Sequence, residues 1–143
     1  MAGLQADGVG LQRDQVGENR SPVFDVVGRG GGRPLDPRVR ETMEDHLGSP
    51  LGHVRVHVDA RSTESVQAKA YTVGEDIVVH PRHFHPSALS GRQLLAHEAV
   101  HVHQQRSGPV AGTPVGGGIS LSDPSDRFEQ EAEAAARIVS SRL

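Results

Sequence analysis

Residues 94–105 read Leu-Leu-Ala-His-Glu-Ala-Val-His-Val-His-Gln-Gln, and His97-Glu98-Ala99-Val100-His101 within them is an HExxH pattern. Leu94, Leu95, Ala99 and Val100 supply an apolar repeat of helical spacing around the two histidines. Side chains four apart on a helix lie about 40° apart around its axis. Both imidazoles can therefore face one metal ion. Glu98 follows the first histidine directly, where a carboxylate can reach a water held by that metal and take its proton. The spacing predicts a helix from about Gly91 to Arg106, with Ser90 as N-cap and Gly108-Pro109 as its stop.

A catalytic zinc needs a third protein ligand and an open position. Downstream, the stretch from Ser107 to Ser120 is rich in glycine and reads as a flexible loop. Asp123-Pro124 then opens a last helix, with Asp126 at the third position as a capping-box variant. Phe128, Ala132, Ala135, Ala136 and Val139 form its packing face. Glu129 borders that face, and small alanines would let its carboxylate approach a neighbouring helix closely. Glu133 stands one turn above Glu129. It suits the role of a carboxylate that accepts a hydrogen bond from the other ring nitrogen of His97 or His101. Glu131 projects about 200° away from Glu129, so the two cannot share a metal. For each glutamate the alternative is a solvated helix face.

Upstream, Asp36-Pro37 is an N-cap and first-turn pair. Val39, Met43 and Leu47 follow at spacing four, and Gly48 ends an amphipathic helix. Residues 53–58 alternate with Val54, Val56 and Val58 on one face of a half-buried strand. Residues 60–68 read as a short helix. Ala70–Val73 and Asp76–His80 are two strands joined by a turn at Gly74-Glu75. Residues 1–33 are polar and glycine-rich and read as a flexible arm, with the domain proper at 34–143. Within the arm, Val23, Phe24, Val26 and Val27 could dock as a short extended piece. The predicted architecture is α+β: a small mixed or antiparallel sheet packed on the HExxH helix and the C-terminal helix. The strand Asp76–His80 is expected at the sheet edge, able to pair with an extended substrate.

Composition narrows the function classes. The chain has 143 residues and a net charge of −3, so no basic footprint for nucleic acid is present. It has no cysteine, which excludes disulfides and thiolate zinc sites. With three Phe, one Tyr and no Trp, the core must be aliphatic, and a bound metal could add materially to stability. No membrane span is expected, and the N-terminus lacks the apolar core of a Sec signal. A cytoplasmic location is the expectation.

The remaining polar residues leave choices open. Gln104 returns to the ligand face seven residues after His97, and could hydrogen-bond a ligand or substrate or cap the helix end. His103 lies off that face. His80, His83 and His85 crowd one loop, as a second metal site or as a solvated turn. His57 points away from the strand valines, as a structural hydrogen-bonding residue would. Tyr71 is the sole phenol available to an oxyanion.

The segments GRGGGRPLDPRVRETMEDHLG, HVRVH, KAYTVGEDIVVH, LLAHEAVHVHQQ and DRFEQEAEAAA occur in that order over about residues 28–137. Together they resemble a metallopeptidase-type domain of otherwise unknown function, found with bacterial extracellular contractile injection systems and toxins. The resemblance implies a minimal gluzincin of zincin-like fold. Zn²⁺ would then be held by His97, His101 and Glu129, with Glu98 as general base. Glu133 departs from the pattern, which more usually has Asp there. The function implied is zinc-dependent hydrolysis of a peptide or protein substrate, with injection-system or toxin components as partners. The alternative is a catalytically silent, zinc-stabilised binding or cargo module of such a particle.

Overall fold

The HExxH segment lies in the longest helix of the chain, and every other element is arranged around it. The computed structural model describes residues 4–7, 22–28, 30–108, 113–116, 119–121 and 127–143. In order these form β1 (Leu4–Asp7), α1 (Pro22–Val27), β2 (Arg33–Pro34), α2 (Pro37–Leu47), β3 (Arg55–Val58), α3 (Ala60–Ser65), β4 (Ala70–Val73) and β5 (Asp76–Val79). A 3₁₀ turn (Pro81–His83), α4 (Leu89–Ser107), β6 (Thr113–Gly116), β7 (Ile119–Leu121) and α5 (Arg127–Ser140) complete the set. The fold is α+β, with a five-stranded mixed sheet of order β1-β4-β5-β3-β2.

Two apolar clusters occupy the two faces of this sheet. Period-two alternation sends Ala70, Ile77 and Val79 to one face and Tyr71 and Val78 to the other. On the first face they meet Val39 and Met43 of α2, Leu95, Ala96, Ala99 and Val100 of α4, and the alanines of α5. On the second they meet Leu4 of β1 and Val23 and Val26 of α1. The helix α4 is thus enclosed by the sheet, α2 and α5, which explains why its buried residues, His97, Glu98, His101 and Gln104 among them, lie around most of its circumference rather than on one stripe.

The local signals read from sequence are realised in α2. Asp36 Oδ1 accepts from the backbone N–H of Arg38 and Val39, Pro37 opens the helix, and Gly48 closes it at φ 66°. The strand face of Val54 and Val56 is buried. The Asp76 segment, however, is not at the edge: β5 pairs antiparallel with β4 and parallel with β3. Its backbone donors and acceptors are committed on both sides, so it cannot take up an added strand. The edges are β1 and β2.

Three further expectations are corrected. The helix of the HExxH motif begins at Leu89 rather than Gly91, and its N-cap position is Ala88, without a side-chain cap; Ser90 lies inside the helix. The start is fixed instead by packing. Gly91 lies so close to the His85 carbonyl that a Cβ there would collide with it. The stretch expected to be a featureless loop before α5 contains an antiparallel hairpin of β6 and β7. The expected flexible arm contributes β1, paired with β4 throughout its length, and α1, a helix rather than an extended piece. Both are held because Leu4, Val23 and Val26 cover apolar sheet surface around Tyr71. The proposed cap of the last helix, Asp123-Pro124 with Asp126, lies outside the described residues.

Candidate metal centre

His97 and His101 stand one turn apart on α4, with ring centroids 4.8 Å apart and planes at 81°. The first turn of α5 brings Glu129 against them. Its Oε1 lies 3.0 Å from His97 Nε2, and its Oε2 lies 3.0 Å from His101 Nε2. This close approach depends on the alanine face of α5: Ala132, Ala135 and Ala136 are buried against α4, and none has bulk to hold the helices apart. Glu98 completes the group. Its carboxylate and the two imidazole ligand atoms all lie within 4.8 Å of one another. Among the described residues this is the one cluster of three or more potential ligands drawn from His, Cys, Asp and Glu.

The outer ring nitrogens are tied to acceptors. His97 Nδ1 is 3.1 Å from Glu133 Oε2, as the helical spacing of Glu133 and Glu129 predicts. His101 Nδ1 is 2.8 Å from Gln104 Oε1, so Gln104 holds the His101 ring rather than capping the helix end. A carboxylate has no proton to give, and the carboxamide oxygen only accepts. His101 Nδ1 therefore donates and its Nε2 presents a lone pair toward Glu129, whereas His97 has a carboxylate at each ring nitrogen and its Nε2 is hydrogen-bonded to Glu129 Oε1. The His101 lone pair and the Glu129 Oε2 that faces it at 3.0 Å repel unless a cation or a proton lies between them. Glu129 Oε2 is buried, and the approach of His101 Nε2 falls outside hydrogen-bond angles. Two imidazole nitrogens and a carboxylate converging in this way are a donor set that a divalent ion of zinc type takes. The residues present fit such an ion.

Glu98 is fully buried, and the Thr72 hydroxyl donates to its Oε1 at 2.8 Å. Thr72 comes from β4, on the sheet face toward α4, and nothing in its local sequence marks it. A polar residue alternating between Tyr71 and Val73 on a strand was the available signal. Glu131 stands away from the ion site, as its helical angle requires, yet it accepts a 2.8 Å hydrogen bond from Gln104 Nε2. It therefore touches the residue that supports His101. His103 is half-buried and off the ligand face.

The other candidates lie elsewhere. Tyr71 is on the opposite face of the sheet, fully buried against α1, and cannot reach the site. Burial pushes its phenol well above the usual range, so it stays protonated. His57 Nε2 bonds Asp76 Oδ1 at 2.8 Å and is structural. The three loop histidines do not gather into a ligand set. His80 Nδ1 accepts from the Arg82 N–H and its Nε2 meets Glu64 at 2.8 Å, while His85 Nε2 donates to the Arg82 carbonyl. His83 beside them is held below the ordinary imidazole range by burial and by the Lys69 charge. Together with Glu64, Gln67 and Lys69, His80 and His83 line an open cavity of about 390 Å³.

Residues 34–109 match the eCIS core domain family, which is more than half of the chain. The chain belongs to the eCIS core domain family. That membership links it to extracellular contractile injection systems. The matched segment contains His97, Glu98, His101 and Gln104, whereas Glu129, Glu133 and β1 lie outside it. No curated protein and no solved structure matches the chain. Among the described residues, no helix is long and apolar enough to cross a membrane.

Proposed function

We propose that this eCIS core domain is a zinc-dependent, gluzincin-like endopeptidase unit of zincin-like fold. Its substrate would be a peptide or protein, and its setting an injection system or its toxins. The observation that carries the reading is the 3.0 Å approach of the Glu129 carboxylate to both His97 Nε2 and His101 Nε2, with Glu98 alongside. In this reading His97, His101 and Glu129 hold the ion. Glu133 and Gln104 hold the two Nδ1 protons, keeping each ring in one tautomer and one orientation. Zinc, when bound, acts as a Lewis acid that acidifies water and polarises a carbonyl. A carboxylate oxygen of Glu98 takes the proton of the attacking water and returns it to the leaving amine. The Thr72 hydroxyl fixes the rotamer from which Glu98 does this.

One observation favours a second reading, a zinc-stabilised module that does not turn over. Glu98 and His101 are wholly buried, and an ion held there would stabilise the helical layer without meeting substrate. The variant Glu98→Gln separates the two. It should retain about one zinc per chain, because Glu98 is not a ligand in either reading. In the enzyme reading it loses cleavage of an unfolded protein substrate, since an amide cannot accept the proton. Wild type and Glu98→Gln equally silent on a broad peptide library, with zinc bound in both, would establish the module.

A further inference from the structure

One buried residue outside the family match contacts the glutamine that holds His101. Gln5, on β1, is fully buried and stands in register with Thr72 on the face toward α4. Its Nε2 donates to Gln104 Oε1 at 3.1 Å, and its Oε1 accepts from Gln105 Nε2 at 3.1 Å. Burying a carboxamide is costly unless both ends are satisfied. Here both are, and the partners are the glutamine that supports His101 and its neighbour, which also binds the Thr72 carbonyl.

The polarity of this chain of amides is determined rather than free. The oxygen and nitrogen of a carboxamide are distinguished by their partners. The backbone N–H of Gly74 can only donate, and it lies 2.7 Å from Gln105 Oε1. Gln105 Nε2 must then be the donor to Gln5 Oε1, and Gln5 Nε2 the donor to Gln104 Oε1. At the far end the Phe128 carbonyl can only accept, and Gln104 Nε2 lies 2.8 Å from it. Both anchors give the same direction. Gln104 presents oxygen to His101, so His101 carries its proton on Nδ1 and aims Nε2 at Glu129.

We infer that Gln5 is a positioning residue of the metal centre: the N-terminal strand completes an amide relay, Gly74–Gln105–Gln5–Gln104, that sets the tautomer of His101. The inference rests on the reading of His101 as a ligand. It makes the site depend on a strand held to the sheet at one edge only. Undocking β1 would take from Gln104 a donor that now restrains its oxygen, and metal affinity would fall with it.

The test uses the full chain with two measurements. The first is the His101 tautomer in metal-free protein, from long-range ¹⁵N–¹H correlations of the imidazole. The second is the zinc Kd by chelator competition. Gln5→Glu places a second acceptor against Gln104 Oε1, so it should raise the Nε2–H tautomer of His101 and weaken zinc binding about 10–100-fold, the range for disturbed ligand support. Should the Gln5→Glu protein fail to fold, Gln5→Leu, which keeps volume but removes the donor, should weaken binding about tenfold. Leu4→Ala removes apolar contact on the opposite face of the same strand. It should lower thermal stability while leaving the tautomer and the Kd of the folded protein unchanged. Unchanged tautomer and Kd in the folded Gln5 variant overturn the relay. A His101 tautomer that responds in a wild-type background without zinc affinity would instead retain the relay and reject the ligand assignment. Zinc binding lost in His97→Ala but untouched by Gln5 changes would do the reverse.

Discussion

Glu129 is the residue on which the metal reading depends, because α5 alone brings it to the histidines of α4. Consider Glu129→Ala, compared with wild type in zinc and in chelator. An ion that binds only the folded state stabilises it by RT ln(1 + [L]/Kd), or about 2.7 kcal/mol at a hundredfold excess over Kd. A chain of 143 residues has an unfolding entropy near 0.3 kcal/mol/K at its midpoint. Wild type should therefore melt about 9 °C higher with zinc than without. Glu129 lies 3.0 Å from Nε2 of both His97 and His101, so in the proposed reading its removal takes away one of three ligands. Losing a mere supporting hydrogen bond weakens metal binding about 10–100-fold, and a direct ligand should cost at least the upper figure. At the same zinc concentration the variant then sits near its Kd, gains about 0.4 kcal/mol, and shifts by only about 1 °C. Scanning calorimetry reads this directly. The zinc-minus-chelator difference is taken within each protein, so changes in metal-free stability cancel. A variant shift equal to that of wild type would remove Glu129 from the ligand set.

Thr72→Val keeps the shape of a buried strand residue but deletes the hydroxyl that donates to Glu98. It should lower stability by about 1–3 kcal/mol through an incompletely satisfied buried carboxylate, keep its zinc, and reduce peptide cleavage; denaturant melts, metal analysis and kinetics on one preparation check all three. Glu44 accepts from the Leu51 N–H at 2.7 Å and pairs with Arg40, and these contacts hold its carboxyl below the usual value of 4.5. A depressed folded-state pKa adds stability that is present above pH 4.5 and is lost as the pH falls through the folded value. The Glu44→Gln protein should accordingly be less stable than wild type at pH 7 and approach it on acidification, measured by urea midpoints across pH.

Much of the layout is written locally. Asp36-Pro37 and Gly48 bound α2 because a cap oxygen, a fixed φ and a left-handed terminus are properties of a few adjacent residues. The HExxH spacing places two imidazoles on one helical face for the same reason. The angular argument for Glu129, Glu133 and Glu131 holds in the structure because all three sit on one rigid helix. Only the last part of it needs amending: Glu131 turns away from His97 and His101 but meets Gln104.

Where the reading of the chain departed from the structure, the missing information was non-local. The valines of the Asp76 strand carry no mark of which neighbours they acquire, and a centre strand and an edge strand of four residues look alike. The N-terminal 33 residues read as solvent-borne because apolar positions are sparse there. Yet Leu4, Val23 and Val26 each join Val66 in covering Tyr71 and Val78 on the second face of the sheet. Leu89 starts α4 although Ser90 is the better cap, because the packing of Gly91 under His85 governs how the helix enters the core.

The sequence by itself determined the α+β class, the helix bearing His97, Glu98 and His101, and the carboxylates able to join them. These follow from periodicity, caps and side-chain chemistry, which act over one or two turns of chain. Only the tertiary structure decided which carboxylate meets which imidazole nitrogen, that Thr72 orients Glu98, and that Gln5 reaches Gln104 from 99 residues away. Such contacts form because burial forces each polar group to find a partner across elements. The partner is selected by packing geometry, which no local stretch of sequence contains.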